Sequence, residues 1–293
     1  MAKSIPTKPV QIPFTPSNTT YPKPIPVSTV TTKPSPLSVS TAPPTLTPPS
    51  STTSPSTTTT PSSTTSGSTT SGSSTTPLTN PDYTSTNWSG YLSTSYKFSA
   101  ISANWDVPQV TGNGTTTTAD ATWIGIGGVT SSDLIQIGTQ DNVSSQGAVV
   151  TSGFYEVLPA PSQQIISMNI SPGDSITASV VETSTNTWVL SMTDNTNNQT
   201  FTTTLTYKSS NSSAEWIEED PSNLKGQLIP LDNFSTINFI NALVVENNQT
   251  LNLQSSNSMS VAMVNSNDQF IASPSAYNST GQSFGVTREY PTP

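Results

Sequence analysis

The chain has 293 residues, a net charge of −9 at neutral pH, only 9% charged residues, and neither cysteine nor histidine. That excludes a Ser-His-Asp triad, a thiol nucleophile, disulfides and the usual His/Cys zinc sites. The acidic balance argues against a nucleic-acid partner, which selects basic surfaces, and leaves chemistry to carboxylates, amides and hydroxyls.

Residues 1–84 are low in complexity, rich in Pro, Ser, Thr and Gly, with few large apolar side chains. Such a segment cannot bury enough surface to offset its ordering entropy, so it reads as a disordered linker, stalk or pro-segment. Lys3, Lys8, Lys23 and Lys33 lie in it, whereas every acid lies from Asp82 onward. The opening "MAKSIPTKPVQIPF" has no apolar run of signal-peptide or membrane-helix length. A stalk of this kind and sequons such as Asn87, Asn142, Asn233 and Asn278 point to a secreted or cell-surface protein.

Residues 85–293 read differently. "NWSGYL" and "ISANWDVP" each bring a tryptophan in an Asn-Trp pair. "ATWIGIGG" puts Trp123, Gly125 and Gly127 on one strand face, where small residues leave room for a close approach. "DLIQIGTQ" is an apolar strand interrupted by Gln136, which parity sets on the face of Leu134 and Gly138, opposite Ile135 and Ile137. "GFYEVLP" holds Glu156 in an apolar setting. "GDSITASVVE" alternates Ile176, Ala178 and Val180 with polar residues, and "NTWVLSMTD" aligns Trp188, Leu190 and Met192.

The strand "SAEWIEED" then concentrates four acids. Parity puts Glu215, Ile217 and Glu219 on one face and Trp216 and Glu218 on the other. Glu215, between Ala214 and Trp216, is a candidate general acid or base, because an apolar setting raises a carboxyl pKa. Glu218, Glu219 and Asp220 read as a solvated strand end. "STINFINALVV" aligns Ile237, Phe239 and Leu243. Period-two alternation between Asn/Gly/Pro turns, with no apolar stripe of helical period, predicts one all-β domain, an antiparallel sandwich or barrel. "SNLKGQLI" is the one place for a short helical turn.

In this order, "NWSGYL", "FSAISANWDVPQV", "TWIGIGG", "LIQIGTQ", "FYEVLP", "PGDSI" and "AEWIEED" resemble the glutamic peptidases, or eqolisins, over roughly residues 85–288. The resemblance implies a β-sandwich of two antiparallel sheets of about seven strands each and an acid-active endopeptidase without cofactor or metal. It implies a catalytic dyad of Gln136 and Glu215, with Trp88, Trp123, Tyr155 and Glu156 contacting substrate. This chain departs from those relatives at Gly127, where they carry an acid, and at Val157, where they carry a tryptophan. It also has no cysteine for their disulfides.

The resemblance further implies that Glu215 takes a proton from a water and passes it to the leaving nitrogen, while Gln136 stabilises the oxyanion. The expected partners are polypeptide substrates, with no nucleic acid and no membrane insertion, and the expected state is a monomer. Scarce cations suit acid, since few ion pairs are lost when carboxylates protonate. Two other classes stay open. One is a carbohydrate-binding or glycoside-cleaving sandwich with Glu156 and Glu215 as paired carboxylates. The other is an inactive surface domain on a Thr/Pro stalk.

Overall fold

The structure is a computed structural model that describes residues 76–94, 97–160, 163–223 and 226–290. The four N-terminal lysines and the linker or pro-segment reading of residues 1–75 lie outside them, as do Leu224 and Lys225 of the expected helical turn. Among the described residues there are strands and no helix.

In chain order the strands are β1 (Tyr83–Ser85), β2 (Trp88–Thr94), β3 (Phe98–Asp106), β4 (Val110–Thr111), β5 (Thr118–Gly127) and β6 (Leu134–Val143). Next come β7 (Val149–Leu158), β8 (Gln164–Ile166), β9 (Ser175–Ser184), β10 (Thr187–Asp194), β11 (Gln199–Thr206) and β12 (Ser213–Glu219). The last are β13 (Asn233–Phe234), β14 (Ile237–Glu246), β15 (Gln249–Asn252), β16 (Met259–Val264), β17 (Phe270–Pro274) and β18 (Phe284–Arg288).

The expected all-β class holds, but two separate sheets of seven do not describe the pairing. One hydrogen-bonded path runs β11-β10-β9-β3-β14-β18-β17-β16-β2-β12-β5-β6-β7-β8, with β1 added to β16, β15 added to β14, and β4 and β13 paired apart. The continuity comes from β14. Its first residues, Ile237 to Phe239, pair with β18, and its later ones pair with β3 and β15. The path doubles back, so β3 and β9 pack against β5 and β6. Ile101, Trp105, Ile176, Val180 and Trp188 from one arm meet Ile124, Ile135, Ile137 and Trp216 from the other in the main core.

Alternation delivers this core because successive side chains of a strand point to opposite faces. Ile176, Ala178, Val180, Trp188, Leu190 and Met192 are buried as the pattern predicts. In β14 the pattern breaks. Ile237 and Phe239 point inward, but Asn241 sits at φ +54° within a register shift, and Ala242 and Val244 take the buried places expected of Leu243. A bulge inserts one residue and reverses the parity beyond it.

Ordered pairing also starts earlier than composition suggests. Pro77 bridges Ser275, Leu78 N–H donates to the Pro274 carbonyl, and β1 runs parallel to β16. Residues 77–84 therefore pair with strands of the β domain, although composition assigns them to the tail.

Strands β5 and β12 are buried at every position. One face belongs to the main core. The other builds a second apolar cluster of Trp88, Leu92, Ala121, Trp123, Leu134, Phe154, Leu158, Ile217 and Val261.

Candidate active site

Cross-strand register assembles the site on the face of that second cluster. Leu92 pairs with Glu215, Glu215 with Gly125, Gly125 with Gln136, and Gln136 with Glu156. Paired residues in a ladder share a face, so four strands put Glu215, Gln136 and Glu156 in one row. Gly125 separates the acid from the amide. With strands about 4.8 Å apart, the two Cα positions lie roughly 10 Å from each other. Two side chains of this length can reach toward one another over a residue that has none.

The gap is narrow. A Cβ at Gly125 would lie 2.8 Å from Leu134 Cδ1 and 3.0 Å from Trp123 Cζ3. Glycine floors the slot, and Leu134 and the Trp123 ring edge border it. Trp88 meets Trp123 edge-on, with ring centroids 5.3 Å apart.

The polar atoms in the row are buried and underused. Gln136 Nε2 donates to Glu156 Oε2 at 3.0 Å. Gln136 Oε1, Glu156 Oε1 and both Glu215 carboxyl oxygens have no hydrogen-bond partner of normal geometry. Burial lifts the Glu215 pKa well above the usual carboxylate range; the Ser213 hydroxyl pulls it down and the nearby Asp133 charge pushes it up. Burial likewise raises Glu156 to about 7, against the lowering effect of the Gln136 bond. The pair can hold a proton, offer an amide N–H, and accept from a water or a substrate group.

A second polar line supports the same face. Glu219, buried, accepts from Trp123 Nε1 at 2.8 Å and from Asn87 Nδ2 at 3.1 Å. Burial raises its pKa to about 8, although the Trp123 and Asn87 donors lower it.

A sequence profile described as the Peptidase A4 family matches residues 86–285. The chain belongs to the Peptidase A4 family. The protein is accordingly a peptidase, a hydrolase of peptide bonds, in the family that includes the eqolisins.

Solved structures agree in fold. Scytalido-glutamic peptidase with a peptide-based transition-state analogue aligns over 70% of this chain and 98% of its own, with a TM-score of 0.60 and 23% identity. SCP-B, an eqolisin in complex with the tripeptide Ala-Ile-His, covers the same shares with a TM-score of 0.57 and 24% identity. Aspergilloglutamic peptidase from Aspergillus niger aligns over 59% of this chain and 99% of its own, at TM-score 0.52 and 24% identity. No curated protein sequence matches the chain.

Of the expected site residues, the peptidase brings Gln136, Glu215, Glu156, Trp123 and Trp88 to one face. Tyr155 is not brought there. It pairs with Ile137 and stacks on Phe201 with centroids 5.7 Å apart, on the main-core side of the sheet. Its neighbour Glu156 points to the site, so parity alone sends Tyr155 the other way.

Glu218, Glu219 and Asp220 are buried rather than solvated. β12, which carries Glu218 and Glu219 and ends just before Asp220, is central, between β2 and β5, and covered on both faces. Asn87 is buried and bonded to Glu219, which removes it as an exposed sequon. Gly127 has φ +93°, and a Cβ there would lie 2.3 Å from the Asp133 carbonyl oxygen. An acid at this place has no room here, and Asp133 Oδ2 would lie 3.3 Å from its Cβ.

Among the described residues no group of three acids is arranged to hold a metal ion, and no helix is long and apolar enough to cross a membrane.

Proposed function

We propose that this peptidase is an acid-active endopeptidase that uses Glu215 and Gln136 as its catalytic dyad. The supporting observation is the single register row in which Glu215 and Gln136 flank Gly125 with unpartnered oxygens turned to one face. A water held over Gly125 would lie between an acid and an amide. Glu215, ionised, takes a proton from that water as it attacks the scissile carbonyl. The second N–H of Gln136 Nε2 donates to the developing oxyanion, while its first stays on Glu156. Glu215 then returns the proton to the leaving nitrogen.

Burial bears on when this happens. A carboxyl sealed from water keeps its proton and cannot act as base. A peptide reaches Glu215 only when the face is uncovered, and water entering then lowers the pKa toward the ordinary range. Opening and activation are one event in this reading. The reading includes polypeptide substrates, a monomer, and an extracellular acidic setting.

The paired-carboxylate alternative fits less well. Gln136 stands between Glu156 and Glu215 in the row and holds the Glu156 carboxyl.

The test is proteolysis of denatured haemoglobin and casein by the acid-incubated full chain, across about pH 2 to 7. Glu215→Gln should cost on the order of 10²–10⁴ in rate. Gln136→Ala should cost about 3 kcal/mol of barrier, the worth of one oxyanion donor. Near-full activity of either folded variant sinks the dyad.

A further inference from the structure

The geometry points to Glu219 as a positioning residue for peptide-bond cleavage, acting on the catalytic slot only through the indole of Trp123. The inference rests on the dyad reading, and it concerns a wall of the slot rather than a reacting group.

Trp123 has two attachments. Its stem lies over Gly138, where a Cβ would come within 2.5 Å of Trp123 Cβ, so the glycine is what lets the stem lie flat. Its far attachment is the Nε1–H bond to Glu219 Oε2 at 2.8 Å. The indole is rigid, so fixing Nε1 at one end fixes Cζ3 at the other, and Cζ3 is the atom bordering the space above Gly125. The torsion about Cβ–Cγ is broad and roughly two-fold, and backbone and stem alone leave it open. The hydrogen bond selects the orientation that narrows the slot between Gln136 and Glu215.

Glu219 is itself held. Its Oε1 accepts from Asn87 Nδ2, and Asn87 Oδ1 accepts from Ser85 Oγ at 3.2 Å. The Asp220 N–H donates to the Asn87 carbonyl at 2.8 Å, tying the same turn to the end of β12. Ser85, Asn87, Glu219 and Trp123 thus form a hydrogen-bonded line from the start of β2 to the slot. Glu219 shares a face with Glu215 four residues earlier on β12, so the acid and the brace for its wall move as one element. What Trp123 needs from Glu219 is an acceptor oxygen, which both protonation states provide.

The experiment is a double-mutant cycle in the full chain, reading kcat and KM on a quenched fluorescent peptide near pH 4. Glu219→Met keeps the volume and removes the acceptor; Glu219→Gln keeps an acceptor; Trp123→Phe removes the donor. Glu219→Met should lower kcat by about 10- to 100-fold, the usual cost of small misplacement in a reacting geometry, with KM changed less than about 3-fold. Glu219→Gln should stay within about 3-fold of the parent. In the Trp123→Phe background Glu219→Met should have no further effect on kcat.

Equal loss in both backgrounds, or unchanged kcat in folded Glu219→Met, overturns the inference. Should Glu219→Met fail to fold, exchange of the Trp123 indole N–H in the parent decides. Slow exchange supports the bond, and exchange at the rate of a free indole overturns it. Glu215→Gln is assayed alongside. Activity surviving there indicts the dyad, whereas a failed cycle beside inactive Glu215→Gln indicts Glu219 alone.

Discussion

Single residues in this peptidase matter through what they leave empty as much as through what they contribute. Gly125 is the sharpest case, because its missing side chain is the floor between Glu215 and Gln136. Gly125→Ala should place a methyl group in the slot. The atoms it meets are the end of Leu134 and the edge of Trp123, and the Leu134 end can give way. Activity should fall about 100-fold while the melting temperature shifts by about 2–4 °C, read by peptide hydrolysis and calorimetry. Gly138→Ala is the contrast: its Cβ would lie 2.3 Å from the Thr122 backbone oxygen, and backbone cannot step aside, so stability and activity should fall together. The sequence exposed the acids and the small residues individually. Tyr155, next to Glu156 on β7, faces Phe201 on the other side of the sheet because successive side chains of a strand alternate.

At the level of strands, register and irregularity decide which pattern is seen. Gly90 has φ +147°, and a Cβ there would lie 2.1 Å from the Trp216 carbonyl oxygen. The β2–β12 pairing that holds Glu215 in its row therefore depends on glycine at 90. Gly90→Ala should cost about 2–3 kcal/mol, visible as a lower urea midpoint. The bulge at Asn241 is a second such point. Its left-handed backbone suits Asn or Gly, so Asn241→Gly should be close to neutral and Asn241→Val should lose about 1–2 kcal/mol in the same measurement. Nothing in "NFINALV" announced that the inward phase would shift from Phe239 to Ala242, because a bulge is specified by the partner strand as well as by its own residues.

Over the whole molecule, buried carboxyls set the dependence on pH. On the core face Asp120 pairs with Asp141, the Asp120 and Glu218 carboxyls interact, and Asp232 lies nearby; all four are buried. Thr122 and Thr151 donate to Glu218 and Asp141. Arg288, the cation facing this group, donates to the backbone carbonyls of Asp232, Ile271 and Glu289.

Burial raises Asp141 to about 6 and Asp232 to about 8, and raises Asp120 and Glu218 well above the usual range, with like charges adding to the rise. These acids have folded pKa values above their unfolded values, so the native state binds the extra protons. Their stabilisation is full below about pH 4; for Asp141 and Asp232 it is lost as pH rises through about 6 and about 8, at about 1.4 kcal/mol per pH unit for each group between its two values. The melting temperature should therefore be highest in acid and fall steadily toward neutral pH. Asp120→Asn with Glu218→Gln should flatten that fall, and an unchanged slope would show that the ionisation lies elsewhere.

The sequence by itself determined the all-β class, the inward faces of regularly alternating strands such as β9 and β10, the absence of imidazole and thiol chemistry, and a family motif order that pointed to a Gln and a Glu. Those follow from side-chain period and composition, which are local. Only the tertiary structure decided that Glu215, Gly125, Gln136 and Glu156 form one row, that Glu219 braces Trp123, and that the acids after Trp216 are buried. Each of these depends on which distant strand lies alongside and what covers the far face, and no window of neighbouring residues contains that information.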